Sequence, residues 1–193
     1  MTEELAPWRT ILQRALHRNR SNAFSRYFQI ATIDIEGKPR NRTVVFRGFV
    51  DDSNSIKIVT DTRSEKFEHL QKNPHAEICW YFTKSREQFR LQGTVDLICV
   101  DDEANQQLRQ QAWEKLSNNA QEQFYWAYPA KPVTDTFFTA KPFQESSSPI
   151  DNFCLLIFQP IQVDHLELKG DPQNRFIYSL NDDRTWSKGE VNP

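Results

Sequence analysis

The chain has 193 residues, 26% of them charged and 38% hydrophobic, and a formal net charge of −2. That length suits one domain with a sizeable core, and the balanced charge leaves no electrostatic footprint for nucleic acid. Its apolar runs are too short to span a bilayer and no charged-then-apolar leader opens it, so a cytoplasmic protein without a membrane segment is expected.

The first element expected is a helix within residues 1–26. Pro7 suits a first-turn position, and Trp8, Ile11, Leu12, Ala15 and Leu16 repeat at helical spacing. From Tyr27 the period changes to two. "YFQIATID" and "RTVVFRGF" flank a turn at Glu36-Gly37-Lys38-Pro39, and "SIKIVTD" follows as a third strand. Ser64 stands where a side-chain cap would open the short helix "EKFEHLQKN", which Asn73-Pro74 ends. "AEICWYF" and "EQFRLQGTVDLI" alternate cleanly as strands. Asp101 or Asp102 can cap a helix running to about Leu116 through Ala104, Leu108 and Ala112. Residues 128–149 lack any sustained period and read as a long loop, a kind that is usually functional or mobile. "NFCLLIFQPIQVDHLEL", "RFIYSL" and a segment around "TW" close the chain as strands.

Many strands joined by short turns, with few helices, favour a mainly β, antiparallel barrel over a parallel α/β sheet. No internal repeat or linker divides the chain, so residues 1–193 are expected to form a single domain. Cys79, Cys99 and Cys154 lack CxxC spacing and read as small buried apolar residues in a reducing compartment. The four histidines lack HxxxH or HExxH spacing, so no metal site is expected. Five glycines form neither a dinucleotide fingerprint nor a P-loop.

Three polar sets remain. Arg42 and Arg47 bracket the apolar run Thr43, Val44, Val45 and Phe46. "TDTRSEK" places Thr60, Arg63, Ser64 and Lys66 around a helix start, where free N–H groups, a hydroxyl and two cations suit a phosphate. Gln88 heads the cleanest strand, and an amide buried there would need a polar partner.

In this order and spacing, Arg42-x-x-x-x-Arg47, Thr60, Ser64-x-Lys66, Gln88, Gly93 and Arg175 in "NRFIYSL" resemble the pyridoxamine 5'-phosphate oxidase-like family. The likeness runs from about Tyr27 to Pro193. It implies a split β-barrel of Greek-key type that binds flavin mononucleotide (FMN) at the interface of a homodimer. By the resemblance, Arg42, Ser64 and Lys66 hold the phosphate and ribityl end, with Arg63 compensating for Glu65 where the family has a cation. Thr43, Val44 and Val45 run along the flavin ring, and Arg47 stands where the family usually has lysine. Thr60, Gln88 and Arg175 supply further hydrogen bonds.

The substrate half departs from the pattern. Leu166 replaces the family's tryptophan on the penultimate strand. Asp171-Pro172-Gln173 replaces its Arg-x-His, and "LSNNA" lacks its substrate-phosphate arginine. An acid at Asp171 repels a phosphorylated substrate. The resemblance therefore implies an FMN-dependent oxidoreductase related to the true oxidases, with no catalytic acid or base singled out. The alternatives are a genuine pyridoxine/pyridoxamine 5'-phosphate oxidase with a remodelled pocket, or a non-catalytic FMN carrier or sensor.

Overall fold

Alternation of apolar and polar residues builds the sheet. In the computed structural model, which describes residues 4–133 and 146–193, strand β1 (Tyr27–Ile33) buries Phe28, Ile30 and Thr32. It pairs antiparallel with β2 (Pro39–Val45) through a hairpin. Asp34 fixes that turn by accepting the N–H groups of Glu36 and Lys38, and these bonds with the Arg40 guanidinium hold its carboxyl down to about 2. β3 (Ile56–Asp61), β4 (His75–Phe82), β5 (Glu87–Ile98), β6 (Phe153–Glu167), β7 (Asn174–Leu180) and β8 (Trp186–Val191) complete the sheet. Its order is β2-β1-β4-β5-β6-β7-β8, with β3 on the other edge of β6.

The strand expected from Arg42 to Phe49 is interrupted. β2 ends at Val45 and the chain turns at Gly48, whose φ of 108° only glycine adopts without strain. The turn lets this segment leave β1 and reach β3. Arg47 N–H donates to Lys57 O (2.9 Å), Lys57 N–H donates to Gly48 O (2.8 Å), and Phe49 bridges Ile56. These bonds close a six-stranded barrel in the order β3-β2-β1-β4-β5-β6. β4 lies back beside β1, which is the Greek-key arrangement, and β7 and β8 extend from the far half of β6.

β6 is long enough to serve both parts. Its first half, "FCLLIF", is buried on both faces, which explains an unbroken apolar run. Cys154, Leu156 and Phe158 face the barrel core, while Phe153, Leu155 and Ile157 face a second core under Trp113, Leu116 and Phe124. Pro160 sits where β5 and β6 slip register opposite Gly93, a position that tolerates a missing N–H. Leu166 lies on β6, two strands from the end, and not on the penultimate strand.

Helix α1 (Pro7–Arg18) buries Trp8, Leu12 and Ala15 against the main core, as its spacing predicts. α2 (Glu65–Lys72) buries His69 and Leu70. Ser64 holds the cap position of α2, but its hydroxyl donates to Asp61 O (2.7 Å) and makes no side-chain cap bond. The helix expected from Asp101 divides into a 3-10 turn, Glu103–Asn105, and α3 (Gln106–Glu114), followed by α4 (Asn118–Glu122). Asp102 does cap the turn, through Asn105 N–H (3.2 Å), but Ala104 is exposed and Trp113 supplies the anchor instead. Among the described residues no helix is long and apolar enough to cross a membrane. Of the expected 128–149 loop, Phe137, Phe138 and Phe143 lie outside the described residues.

Candidate functional site

A cavity of about 550 Å³ lies where β2, the end of β3, the start of α2 and residues 120–131 meet. Arg42, Thr43, Val44, Val45, Arg47, Thr60, Arg63, Ser64 and Lys66 all line it, so nine of the eleven residues expected at the site share one cavity.

The wall is held by short bonds. Arg42 Nη1 donates to Thr32 Oγ1 (2.7 Å) and Arg40 O (2.9 Å), and Thr32 Oγ1 is in turn 3.0 Å from His69 Nδ1. This anchors one guanidinium nitrogen and leaves the rest of the fork for a ligand. Lys66 Nζ donates to Thr60 Oγ1 (3.1 Å) and Ser64 Oγ (3.2 Å). Among the described residues neither Arg42 nor Lys66 has a carboxylate at salt-bridge distance; Glu65 acts on both, and Asp61 on Lys66, only from farther away. Burial and the Arg42 charge push the Lys66 ammonium below the usual lysine range, and burial does the same to Arg42. Two desolvated cations with two hydroxyls make a receptor for an anion, because a bound anion relieves both costs.

Arg63 does not join them as a free cation. Its fork closes on Asp61 (Nη2–Oδ2 2.6 Å, Nε–Oδ1 2.9 Å), and its remaining donors reach Phe124 O and Trp126 O, both at 3.0 Å. Asn152 Nδ2 also bonds Asp61 Oδ2 (2.7 Å) and Phe124 O (2.9 Å). Arg63, Asp61 and Asn152 therefore latch the 124–126 segment to the barrel and shape the opposite wall. Arg63 lines the cavity with its guanidinium already paired to Asp61, while Glu65 is exposed. Asp61 and Asn152 escaped the sequence reading; their only signal was an acid two residues before an arginine at a strand end.

Arg47 faces both this cavity and a smaller one of about 200 Å³ lined also by Arg26, Lys57 and Lys115. Its Nε is buried without a partner, and burial with the Arg26 charge lowers its pKa. Exposed Trp126 and Tyr128 stand at the mouth of the larger cavity, with Arg63 over the Tyr128 ring at 5.1 Å.

Gln88 and Arg175 are not in this cavity. Register places Val45 beside Tyr27 on β1–β2, Tyr81 beside Gln88 on β4–β5, and Leu166 between Gln88 and Arg175, all on the outer face of the sheet. Neither lines the cavity that holds Arg42 and Lys66. Arg175 is paired with Asp164 (Nη2–Oδ2 2.7 Å, Nε–Oδ1 3.0 Å). Elsewhere, Glu87, His165 and Glu167 gather ligand atoms within 4.8 Å, a cluster the sequence spacing does not reveal. Within it, His165 Nε2 and Glu87 Oε2 pair at 3.2 Å.

A family model described as "Pyridoxamine 5'-phosphate oxidase, FMN-binding domain" matches residues 5–99. The Arabidopsis thaliana protein named pyridoxine/pyridoxamine 5'-phosphate oxidase 2 is 37% identical over 199 residues, covering 100% of both chains. The chain belongs to the pyridoxamine 5'-phosphate oxidase FMN-binding family. A crystal structure of a pyridoxamine 5'-phosphate oxidase-related, FMN-binding protein from Nostoc punctiforme PCC 73102 is 49% identical with a TM-score of 0.95, over 98% of this chain and 100% of that one. PhzG from Burkholderia lata 383, at 17% identity and TM-score 0.75 over 97% of this chain and 93% of that one, shares the fold. The cofactor of this family member is FMN. Its own residues fit that cofactor: the desolvated Arg42 and Lys66 with the Thr60 and Ser64 hydroxyls match a phosphomonoester, and the cavity is large enough for a ring beyond it.

Proposed function

We propose that this protein is an FMN-dependent oxidoreductase acting as a homodimer. Arg42, Ser64 and Lys66, with Thr60, would hold the FMN phosphate. The backbone of Thr43 to Val45 would lie along the ring, and Arg47 would face the substrate side. Bound FMN supplies two-electron redox chemistry at its ring; the chain binds it, orients it and sets which molecule reaches it. The observation that carries this reading is the pair of desolvated cations at one wall of the cavity. The placement of Gln88 and Arg175 on an outer sheet face with exposed Tyr27 and Tyr81 supports their arrival from a second copy. Arg63 belongs to the wall that positions Trp126 and Tyr128 and not to the phosphate cradle.

Purified protein should be yellow, or become so with FMN, and keep the colour through a desalting column. Arg42→Ala with Lys66→Ala should lose it, while Arg18→Ala on α1 keeps it. Equal loss in both would remove the phosphate cradle from this wall. A second reading, turnover of pyridoxine or pyridoxamine 5'-phosphate, is favoured by the end-to-end likeness to the Arabidopsis protein of that name. Against it stands Asp171, exposed in the β6–β7 turn. Oxygen consumption on adding pyridoxamine 5'-phosphate to FMN-loaded protein decides for turnover, and its absence leaves another substrate or a non-catalytic carrier.

A further inference from the structure

We propose that Cys99 and Cys154 form a peroxide-sensitive dithiol that closes to an intrachain disulfide. The sequence treats the cysteines as separate apolar residues, 55 positions apart in this pair. The fold sets them side by side. Ile98 pairs with Leu155 at the end of the β5–β6 ladder, so Cys99 and Cys154 are the next residues across the two strands. Directly opposed residues in an antiparallel pair have Cα atoms about 4.5–5.5 Å apart, within the range a disulfide spans. The two sulfurs lie 2.6 Å apart, so the pair is already neighbouring before any bond forms.

The surroundings divide the two sulfurs by role. Cys99 is 8% exposed at the end of its strand, whereas Cys154 is fully buried. The contact with Cys154 holds the Cys99 thiol below its usual range although burial and Asp101 oppose it, and the same contact and burial push the Cys154 thiol up. Arg109 is fixed nearby, donating through Nε to Phe153 O (3.1 Å) and through Nη2 to Ile150 O (2.6 Å). Cys99, the more exposed of the two, is the sulfur a small oxidant reaches first.

The balanced reaction takes two thiols and one hydrogen peroxide to a disulfide and two waters. Cys99 thiolate attacks a peroxide oxygen, the O–O bond breaks, and one water leaves after protonation. Cys154 sulfur then attacks the resulting sulfenic acid, forming the S–S bond and releasing the second water with the Cys154 proton. The two electrons lost by the sulfur pair reduce the peroxide. Cys79 lies on the outer face of β4 beside Arg90, with no sulfur opposite it, and serves as an internal control.

The full-length, FMN-loaded protein is treated with a slight excess of hydrogen peroxide, quenched with catalase, denatured and alkylated. Intact mass and a non-reducing peptide map should show one alkyl group where the untreated protein carries three, and a Cys99–Cys154 cross-link that dithiothreitol reverses. Oxygen adducts without the cross-link, a link through Cys79, or three alkylated thiols would each overturn the proposal. In Cys154→Ser the Cys99 sulfenic acid should accumulate and be trapped by dimedone, and in Cys99→Ser the Cys154 thiol should stay unoxidised. Labelling of Cys154 in the latter reverses the assigned order of attack. The wild-type mass measurement stands even if either variant misfolds.

Discussion

Lys66 concentrates the trade between stability and binding at this site. Its ammonium is partly desolvated and faces Arg42 with two hydroxyls but no carboxylate, so the ligand-free chain carries the cost of a buried charge. Lys66→Met should raise the melting temperature of the FMN-free protein by about 2–4 °C, as roughly 1 kcal/mol does in a domain this size. The same change should weaken FMN binding at least about tenfold, since hydrogen bonds to charged groups contribute roughly 1.5–3 kcal/mol. Differential scanning fluorimetry and a fluorescence titration with FMN measure the two effects, and a lower apo melting temperature would contradict the first. The sign with pH follows from the depressed ammonium. Its cost is present below the folded pKa and fades as pH rises through that value, so the stability gap between variant and wild type should narrow in alkali.

Strand pairing is most exposed to a single atom at Gly93. A Cβ there would lie 2.1 Å from the carbonyl oxygen of Gln159 on β6, a backbone atom that cannot move aside alone. Gly93→Ala should cost about 3 kcal/mol or more by prising β5 from β6 at the register slip, measured by urea unfolding. Asp164 ties β5, β6 and β7 together by accepting from Arg90 Nη2 (2.6 Å) and Arg175 (2.7 and 3.0 Å). Burial pushes its carboxyl up, but the bonds from Arg175 and Arg90 outweigh this and hold it below the ordinary aspartate range. Its contribution is therefore present above about pH 4 and lost as pH falls through the depressed value. Asp164→Asn should lower stability by about 2 kcal/mol at pH 7 and flatten the acid limb of the stability profile. A variant as acid-sensitive as the wild type would place that limb elsewhere.

In the proposed homodimer, assembly is where the two separated parts of the expected site would meet. If Gln88 and Arg175 act on FMN held by a second copy, Lys66→Ala and Gln88→Ala variants should each bind FMN weakly alone. Mixed and re-formed dimers should then recover one intact site per heterodimer, because one interface receives both native residues. Recovery of FMN fluorescence quenching after mixing tests this, and no recovery would rule out delivery of Gln88 from the second copy. The legibility of the molecule divides along the same line. Arg42, Ser64 and Lys66 come to one cavity because local spacing fixes which strand end and helix start carry them. The partner choice of Arg63 depends on Asp61, Phe124, Trp126 and Asn152, the last 89 residues away, and no local pattern encodes that competition. Glu87 was read as an ordinary strand residue, yet it is buried against His165, 78 positions distant.

By itself the sequence determined the elements and the kind of ligand: two-residue alternation defined β1, β4 and β5, helical spacing defined α1, and cations around a helix start called for a phosphate. Those properties arise from periodicity and neighbouring residues, which the chain carries before it folds. Tertiary structure alone decided which cations pair with a carboxylate, where Gly48 turns β2 across to β3, and that Cys99 meets Cys154. Each of these outcomes depends on a partner brought close by strand register, and register is settled only when the barrel closes.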